Sequence, residues 1–124
     1  MVTMFIGIDH VQLAMPAGGE AEARKFYAGV LGFAEIEKPA TLRLRGGCWF
    51  ELGDITVHLG VDKDFRAAKK AHPAFAVEAI EKLAERFESL NVSVTWDELL
   101  LPKVNRFYAH DPFGNRLEFL QRLS

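Results

Sequence analysis

One cysteine, Cys48, is present among 124 residues. A single thiol excludes an internal disulfide, and the reducing interior of the cell is the usual setting for such chains, so a cytoplasmic protein is expected. No evident base lies near Cys48 in sequence, and it reads as a small buried hydrophobe rather than a nucleophile. Long apolar runs are also missing. None approaches the ~20 residues of a membrane span, and no basic segment precedes an apolar one at the start, so neither a membrane nor a signal peptide is expected. An excess of positive charge is absent too: the formal net charge is −2. The charged runs are short, 66–70 with three cations and 81–88 mixed in sign, as solvated faces are, and nucleic acid is not an expected partner. What remains is an ordinary globular composition, long enough for one domain that buries roughly two thirds of its unfolded surface.

The pattern along the chain predicts a strand over 6–15, broken by Pro16 and Gly18-Gly19. A helix follows over about 20–31, with Ala23, Phe26, Tyr27, Val30 and Leu31 at helical spacing and Gly32 placed to end it. Strands are expected over about 33–38, 41–52 (with a bulge at Gly46-Gly47) and 55–61, with Gly53-Asp54 as a hairpin turn. The segment 62–71 is charged and reads as a linker. A short strand over 72–77 comes next, then a helix over about 79–90 with Ile80, Leu83, Ala84 and Phe87 on its buried stripe, closed by Asn91. Strands over 92–96, 106–109 and 116–121 complete the series. The apolar loop 99–102 is either a core plug or a cover over a cavity. The order strand, helix, three strands is therefore written twice. His10 and His72, Phe26 and Phe87, and His58 and Glu118 occupy matching places about 60 residues apart, as a duplicated unit requires.

Parity within the strands assigns faces. His58 alternates with Val57 and Leu59, His72 shares its side with Ala74 and Ala76, and Glu118 lies opposite Leu117 and Phe119. His10 belongs to a less clean strand, since Ile6 and Ile8 share its face. His10, His58, His72 and Glu118 thus project away from the helices, where three imidazoles and a carboxylate suit a borderline divalent ion: Zn, Ni, Fe, Co or Mn. His110, in the final turn, is set aside as a surface residue. Gln12 lies on the ligand face and can meet substrate or a histidine. Arg43 and Arg45 share a strand face, from which Arg45 either meets an anionic group or stays exposed. Trp49 and Tyr108 line the cavity or belong to core or rim.

The segments Asp9-His10-Val11-Gln12-Leu13, His72-Pro73-Ala74-Phe75-Ala76-Val77 and Asp111-Pro112-Phe113-Gly114-Asn115-Arg116-Leu117-Glu118, on the duplicated βαβββ plan, resemble the vicinal oxygen chelate superfamily. That group includes glyoxalase I, fosfomycin and bleomycin resistance proteins, methylmalonyl-CoA epimerase and extradiol dioxygenases. The resemblance spans the chain. It implies an α+β fold in which two tandem βαβββ modules form curved mixed sheets around a concave cleft, with helices on the outer face. A single glyoxalase-like domain over 1–124 would contain module one at about 5–62 and module two at about 72–122.

In metal-dependent members the ligands come from the first and last strands of each module, which here are His10, His58, His72 and Glu118. Glyoxalase I usually carries a carboxylate where this chain has His58. Bleomycin-binding members lack the ligands that this chain retains, and fosfomycin thiol transferases resemble Phe107-Tyr108, where the tyrosine contacts substrate. The implied activity is that of a metal-dependent lyase or isomerase of glyoxalase type. It would act on a small oxygen-chelating substrate by Lewis-acid stabilisation of an enolate or alkoxide, with Glu118 as ligand or general base. Thiol transfer, extradiol dioxygenation or non-catalytic binding of a small molecule or drug are the alternatives. Open sheet edges point to a homodimer.

Overall fold

The computed structural model describes residues 3–97 and 102–123. It contains two four-stranded mixed sheets. The first is built from β1 (Val11–Met15), β2 (Ala34–Ile36), β3 (Cys48–Leu52) and β4 (Ile55–Val61), in the order β1-β4-β3-β2. The second repeats the plan with β5 (Ala74–Ala76), β6 (Thr95–Trp96), β7 (Val104–His110) and β8 (Arg116–Arg122), in the order β5-β8-β7-β6. In each sheet the first and last strands pair in parallel and the others antiparallel. These are the two tandem βαβββ modules that the repeat implies.

The first helix is α1 (Glu20–Arg24), which widens into a π turn over Lys25–Val30, where the Leu31 N–H reaches the Phe26 carbonyl at 2.9 Å. Phe26 and Tyr27, adjacent in sequence, are both buried by this segment. Helix α2 (Ile80–Ser89) receives a cap from the opposite end of the module: the Ile80 N–H donates to Gln121 Oε1 at 3.1 Å. Asn91, at φ 62, closes it in the left-handed conformation expected from sequence. Both helices cover the apolar faces of the strands, so Leu13, Met15, Phe50, Val57, Leu59, Phe107, Leu117 and Phe119 join Ala23, Tyr27, Ile80 and Phe87 in one core. The polar residues of the strands are left on the opposite faces. Cys48 is buried in that core, and burial pushes its thiol up to about 11, in keeping with a structural role.

Two expectations are corrected. The segment Ala40–Arg45 is a 3₁₀ turn and not the beginning of a strand. Leu42 and Leu44 mimic strand alternation, but Leu44 is fully exposed, and the β2 pairing register takes up only residues 49–51 of β3. Arg43 and Arg45 consequently share no strand face: Arg43 pairs with Glu37, while Arg45 points elsewhere. The first strand begins at Val11 and not at residue 6: its partner β4 starts at Ile55, directly after the hairpin turn and two residues before Val57, the partner of Val11, so β4 offers nothing opposite residues 6–8. Most of the apolar loop at 99–102 falls outside the described residues.

A buried polar cluster joins the modules. Asp111 Oδ1 accepts the Phe113 and Asn115 N–H groups at 2.9 Å each, and its Oδ2 accepts the Tyr27 hydroxyl at 2.8 Å and Asn115 Nδ2 at 2.9 Å. Asn115 Nδ2 also donates to the Ala14 carbonyl at 2.8 Å, and Asn115 Oδ1 accepts the Ala68 N–H at 3.0 Å. The Asp-Pro-Phe-Gly-Asn turn is thereby fastened to β1, to the first helix and to the linker at once.

Burial and the adjacent Asp111 carboxylate raise the Tyr27 pKa well above 10.0, so the fold holds the neutral phenol. The stability this contributes is complete below the unfolded phenol pKa near 10 and is lost as pH rises above it. We expect Tyr27→Phe to cost about 1–3 kcal/mol at neutral pH, from the lost bond to a charged acceptor. The gap between parent and variant in urea midpoints should then narrow between pH 8 and pH 10.5.

Candidate active site

On the polar face of the first sheet, Gln12 and Trp49 flank His58, since both are its register partners on neighbouring strands. The His58 ring lies between two others: Trp49 at 3.9 Å with 2° between planes, and His10 at 4.0 Å with 21°. His58 is only 7% exposed, and its pKa is lowered first by burial and then by the neighbouring His10, so the neutral ring is the one that fits the stack. His10, just ahead of β1, has its Nδ1 at 2.9 Å from Asp9 Oδ1, which leaves Nε2 as the nitrogen turned outward for another partner. An ion lies in the plane of the imidazole that binds it. In this arrangement His10 and His58 meet through their ring faces.

On the polar face of the second sheet, Glu118 lies between Ala74 and Tyr108, its partners on β5 and β7. His72, at the entry to β5, has Nδ1 2.7 Å from the Lys70 carbonyl oxygen and Nε2 2.9 Å from Glu118 Oε1. Glu118 is buried to 6% exposure, and its second oxygen is 3.5 Å from Arg106 Nη1. Arg106 is in turn held by Asp97, with Nε at 2.6 Å and Nη2 at 2.5 Å from Oδ2, and this partner raises the guanidinium pKa further. Tyr108 packs edge-on against His72 with centroids 5.6 Å apart, and the Arg116 guanidinium lies 3.8 Å from the Tyr108 ring centroid.

Of the residues singled out from sequence, His10, Gln12, Trp49 and His58 are thus gathered on one module and His72, Tyr108 and Glu118 on the other. Arg45 lines a cavity with Gln12 and Trp49. Within one chain the two groups stay apart: among the described residues, no three His, Cys, Asp or Glu side chains come close enough to hold one ion. His110 is exposed. Arg106 and Arg116 were not anticipated, although strand parity already places both on the face of Glu118. Lys38, which lines the Arg45 cavity, was not singled out either, although the parity of the expected strand 33–38 places it opposite the buried Phe33.

Duplicated βαβββ modules that carry imidazoles and a carboxylate on the sheet faces away from the helices define a recognisable class. The chain belongs to the glyoxalase/bleomycin resistance protein/dioxygenase superfamily, whose description matches residues 7–119. Among solved structures it is similar to a glyoxalase family protein from Bacillus anthracis, with 47% identity over 98% of this chain and 99% of that one, at a TM-score of 0.94. It also shares its fold with the fosfomycin resistance protein FosX from Listeria monocytogenes, at 16% identity over 95% of this chain and 94% of the other, with a TM-score of 0.76. A variant of FosX, 16% identical and covering 94% of this chain and 92% of that one at a TM-score of 0.77, was solved with Mn(II) and 1S,2S-dihydroxypropylphosphonic acid. No curated protein matches the chain. No helix among the described residues is long and apolar enough to cross a membrane.

The ring stack predicts a graded response at residue 58. His58→Phe should keep the sandwich and hold stability within about 1.5 kcal/mol of the parent, whereas His58→Ala should cost about 2–4 kcal/mol by opening a void between Trp49 and His10. Urea unfolding of the two variants checks this.

Proposed function

We propose that this protein is a metal-dependent enzyme of glyoxalase type, a lyase or isomerase acting on a small substrate with neighbouring oxygen atoms. The observation that carries the reading is the His72–Glu118 pair. Two cis ligands at bond lengths near 2.1 Å stand about 3 Å apart, and His72 Nε2 and Glu118 Oε1 are separated by 2.9 Å. The outer nitrogen of His72 is engaged by a backbone carbonyl, the arrangement that orients a ligating imidazole. His10, with Nδ1 on Asp9, has the same design. The donor set of His10, His72 and Glu118 suits Zn, Ni, Fe, Co or Mn, and the Mn(II) of the FosX complex supports a divalent ion. His58, counted with the ligands on sequence grounds, is better placed as the ring that steadies His10.

A divalent ion at this place supplies a Lewis acid for a chelating substrate. The chain's own residues do the rest. Glu118 is the carboxylate in contact with His72 and is the group to accept a proton from a substrate carbon beside a carbonyl. Arg106 engages the second oxygen of Glu118 and so limits its rotation, while Asp97 keeps Arg106 in place. Tyr108 walls the site on one side and is positioned for substrate contact.

A single chain brings only two of these ligands together. Among the described residues, 6–10 have no strand partner, and Met4, Phe5, Ile6 and Ile8 are 84–102% exposed. A homodimer in which the His10 segment of one copy meets His72 and Glu118 of the other would cover that surface and complete the donor set. Purified parent protein should contain close to one divalent ion per chain, and Glu118→Gln and His72→Ala should each lose it. The shared site has a sharper signature. Dimers isolated with one His10→Ala copy and one Glu118→Gln copy retain one intact site and should carry one ion per dimer; a site confined to each chain would leave them empty. A parent that stays metal-free after incubation with Zn²⁺, Ni²⁺, Mn²⁺ and anaerobic Fe²⁺, yet binds small molecules without turnover, would point to the sequestering reading instead.

A further inference from the structure

A cavity of about 250 Å³ opens on the polar face of the first sheet, lined by Gln12, Lys38, Leu42, Arg45, Trp49 and Gly60 among others. It adjoins the ring stack directly, since Trp49 belongs to both. Its construction is specific. Gly46 and Gly47, at φ 75 and 85, turn the chain back after the 3₁₀ segment, a path that side-chain-bearing residues rarely follow. The turn delivers the Gly46 carbonyl to the Lys38 ammonium, which donates a hydrogen bond to it. At Gly60 the floor of the cavity lacks a side chain, and any Cβ there would overlap the Gln12 amide.

The two cations of this cavity differ in setting: Lys38 is half-buried and Arg45 is exposed. Arg24, Arg43 and Arg106 all have carboxylate partners, on Glu35, Glu37 and Asp97. Among the described residues, no carboxylate oxygen lies within 4.0 Å of the Lys38 ammonium or the Arg45 guanidinium. Lys38 is half-buried, so its charge is only partly relieved by water, and a carbonyl satisfies a donor without cancelling the charge. Glu20, beside the same turn, is engaged through Oε2 by the Gly47 N–H at 2.8 Å. The Glu20 carboxylate lies within electrostatic reach of Lys38 without forming a salt bridge to it, and Lys38, the exposed Arg45, an amide and an indole around one cavity form a receptor for an oxyanion.

We propose that Lys38 and Arg45, with Gln12 and Trp49, form an anion subsite, so that the substrate of this protein carries a carboxylate, phosphate or phosphonate group. This deepens the glyoxalase-type reading and rests on it for the word substrate: the charged end would lie over module one while the oxygen-bearing end reaches the chelating residues. Lys38 and Arg45 are then specificity-determining residues.

The test uses Trp49 as reporter, in a Trp96→Phe background that leaves it the only one of the two tryptophans. The metal-free protein is titrated with inorganic phosphate and, separately, with acetate at constant ionic strength, using chloride as control. Saturable change in Trp49 emission with either anion, absent with chloride, is expected. Lys38→Met and Arg45→Met should each weaken it by roughly ten- to a hundredfold, and Lys38→Arg should restore most of the affinity. Preference for phosphate or for acetate would name the group. No saturable response, or a response unchanged in both methionine variants while their urea midpoints match the parent, would overturn the proposal. Because no metal is added, a failed metal assignment leaves this result standing, and the reverse also holds.

Discussion

The Asp111 carboxylate is the constraint on which the rest of the structure depends. Each of its oxygens accepts two hydrogen bonds, and the donors come from its own turn, from Asn115 and from Tyr27 on the first helix. A buried carboxylate is tolerated only when its lone pairs are so occupied. The turn that satisfies it also starts β8, so the strand carrying Glu118 begins from a point fixed against both modules. Arg116 N–H on the Ala68 carbonyl at 2.9 Å and Glu118 N–H on the Pro73 carbonyl at 3.0 Å extend that anchoring into the strand. The chemistry of the second module is thus referenced to the packing of the first.

The plan of the fold was legible because it was written twice. Alternation in 55–61 and 116–121, helical stripes around Phe26 and Phe87, and Gly and Asn at the helix ends each satisfy a local rule that tertiary packing leaves intact. Failures came where local pattern and available partners disagree. Leu42 and Leu44 alternate like a strand, yet no neighbouring backbone is there to bond them, and the chain takes a 3₁₀ turn. Residues 6–10 alternate as well, yet β4 begins at Ile55 and has nothing opposite residues 6–8. Strand pairing is a property of two segments, and one segment's sequence cannot supply it.

The site was legible in the same measure. Parity put His58, His72 and Glu118 on the faces away from the helices, where they are found, and three of the residues assigned to substrate, Gln12, Arg45 and Trp49, line one cavity. Parity could not show that the His58 ring is packed between two others, since stacking depends on rotamers and not on register. Nor could it show the carbonyl that meets Lys38, which two consecutive glycines at positive φ deliver. The division of labour between faces explains why so many polar groups coexist with a continuous core: alternation sends every second side chain of a strand to the opposite environment.

The uncovered apolar segment ahead of β1 bears on how the chain meets other chains. A row of unpaired backbone donors and acceptors carrying Phe5, Ile6 and Ile8 is a template for any extended polypeptide that reaches it first. Whatever extended segment pairs with it, from a second copy or from another chain, would satisfy the same backbone groups. The short arm, although it lies outside both sheets, is thus the part of the chain most exposed to contacts that depend on concentration.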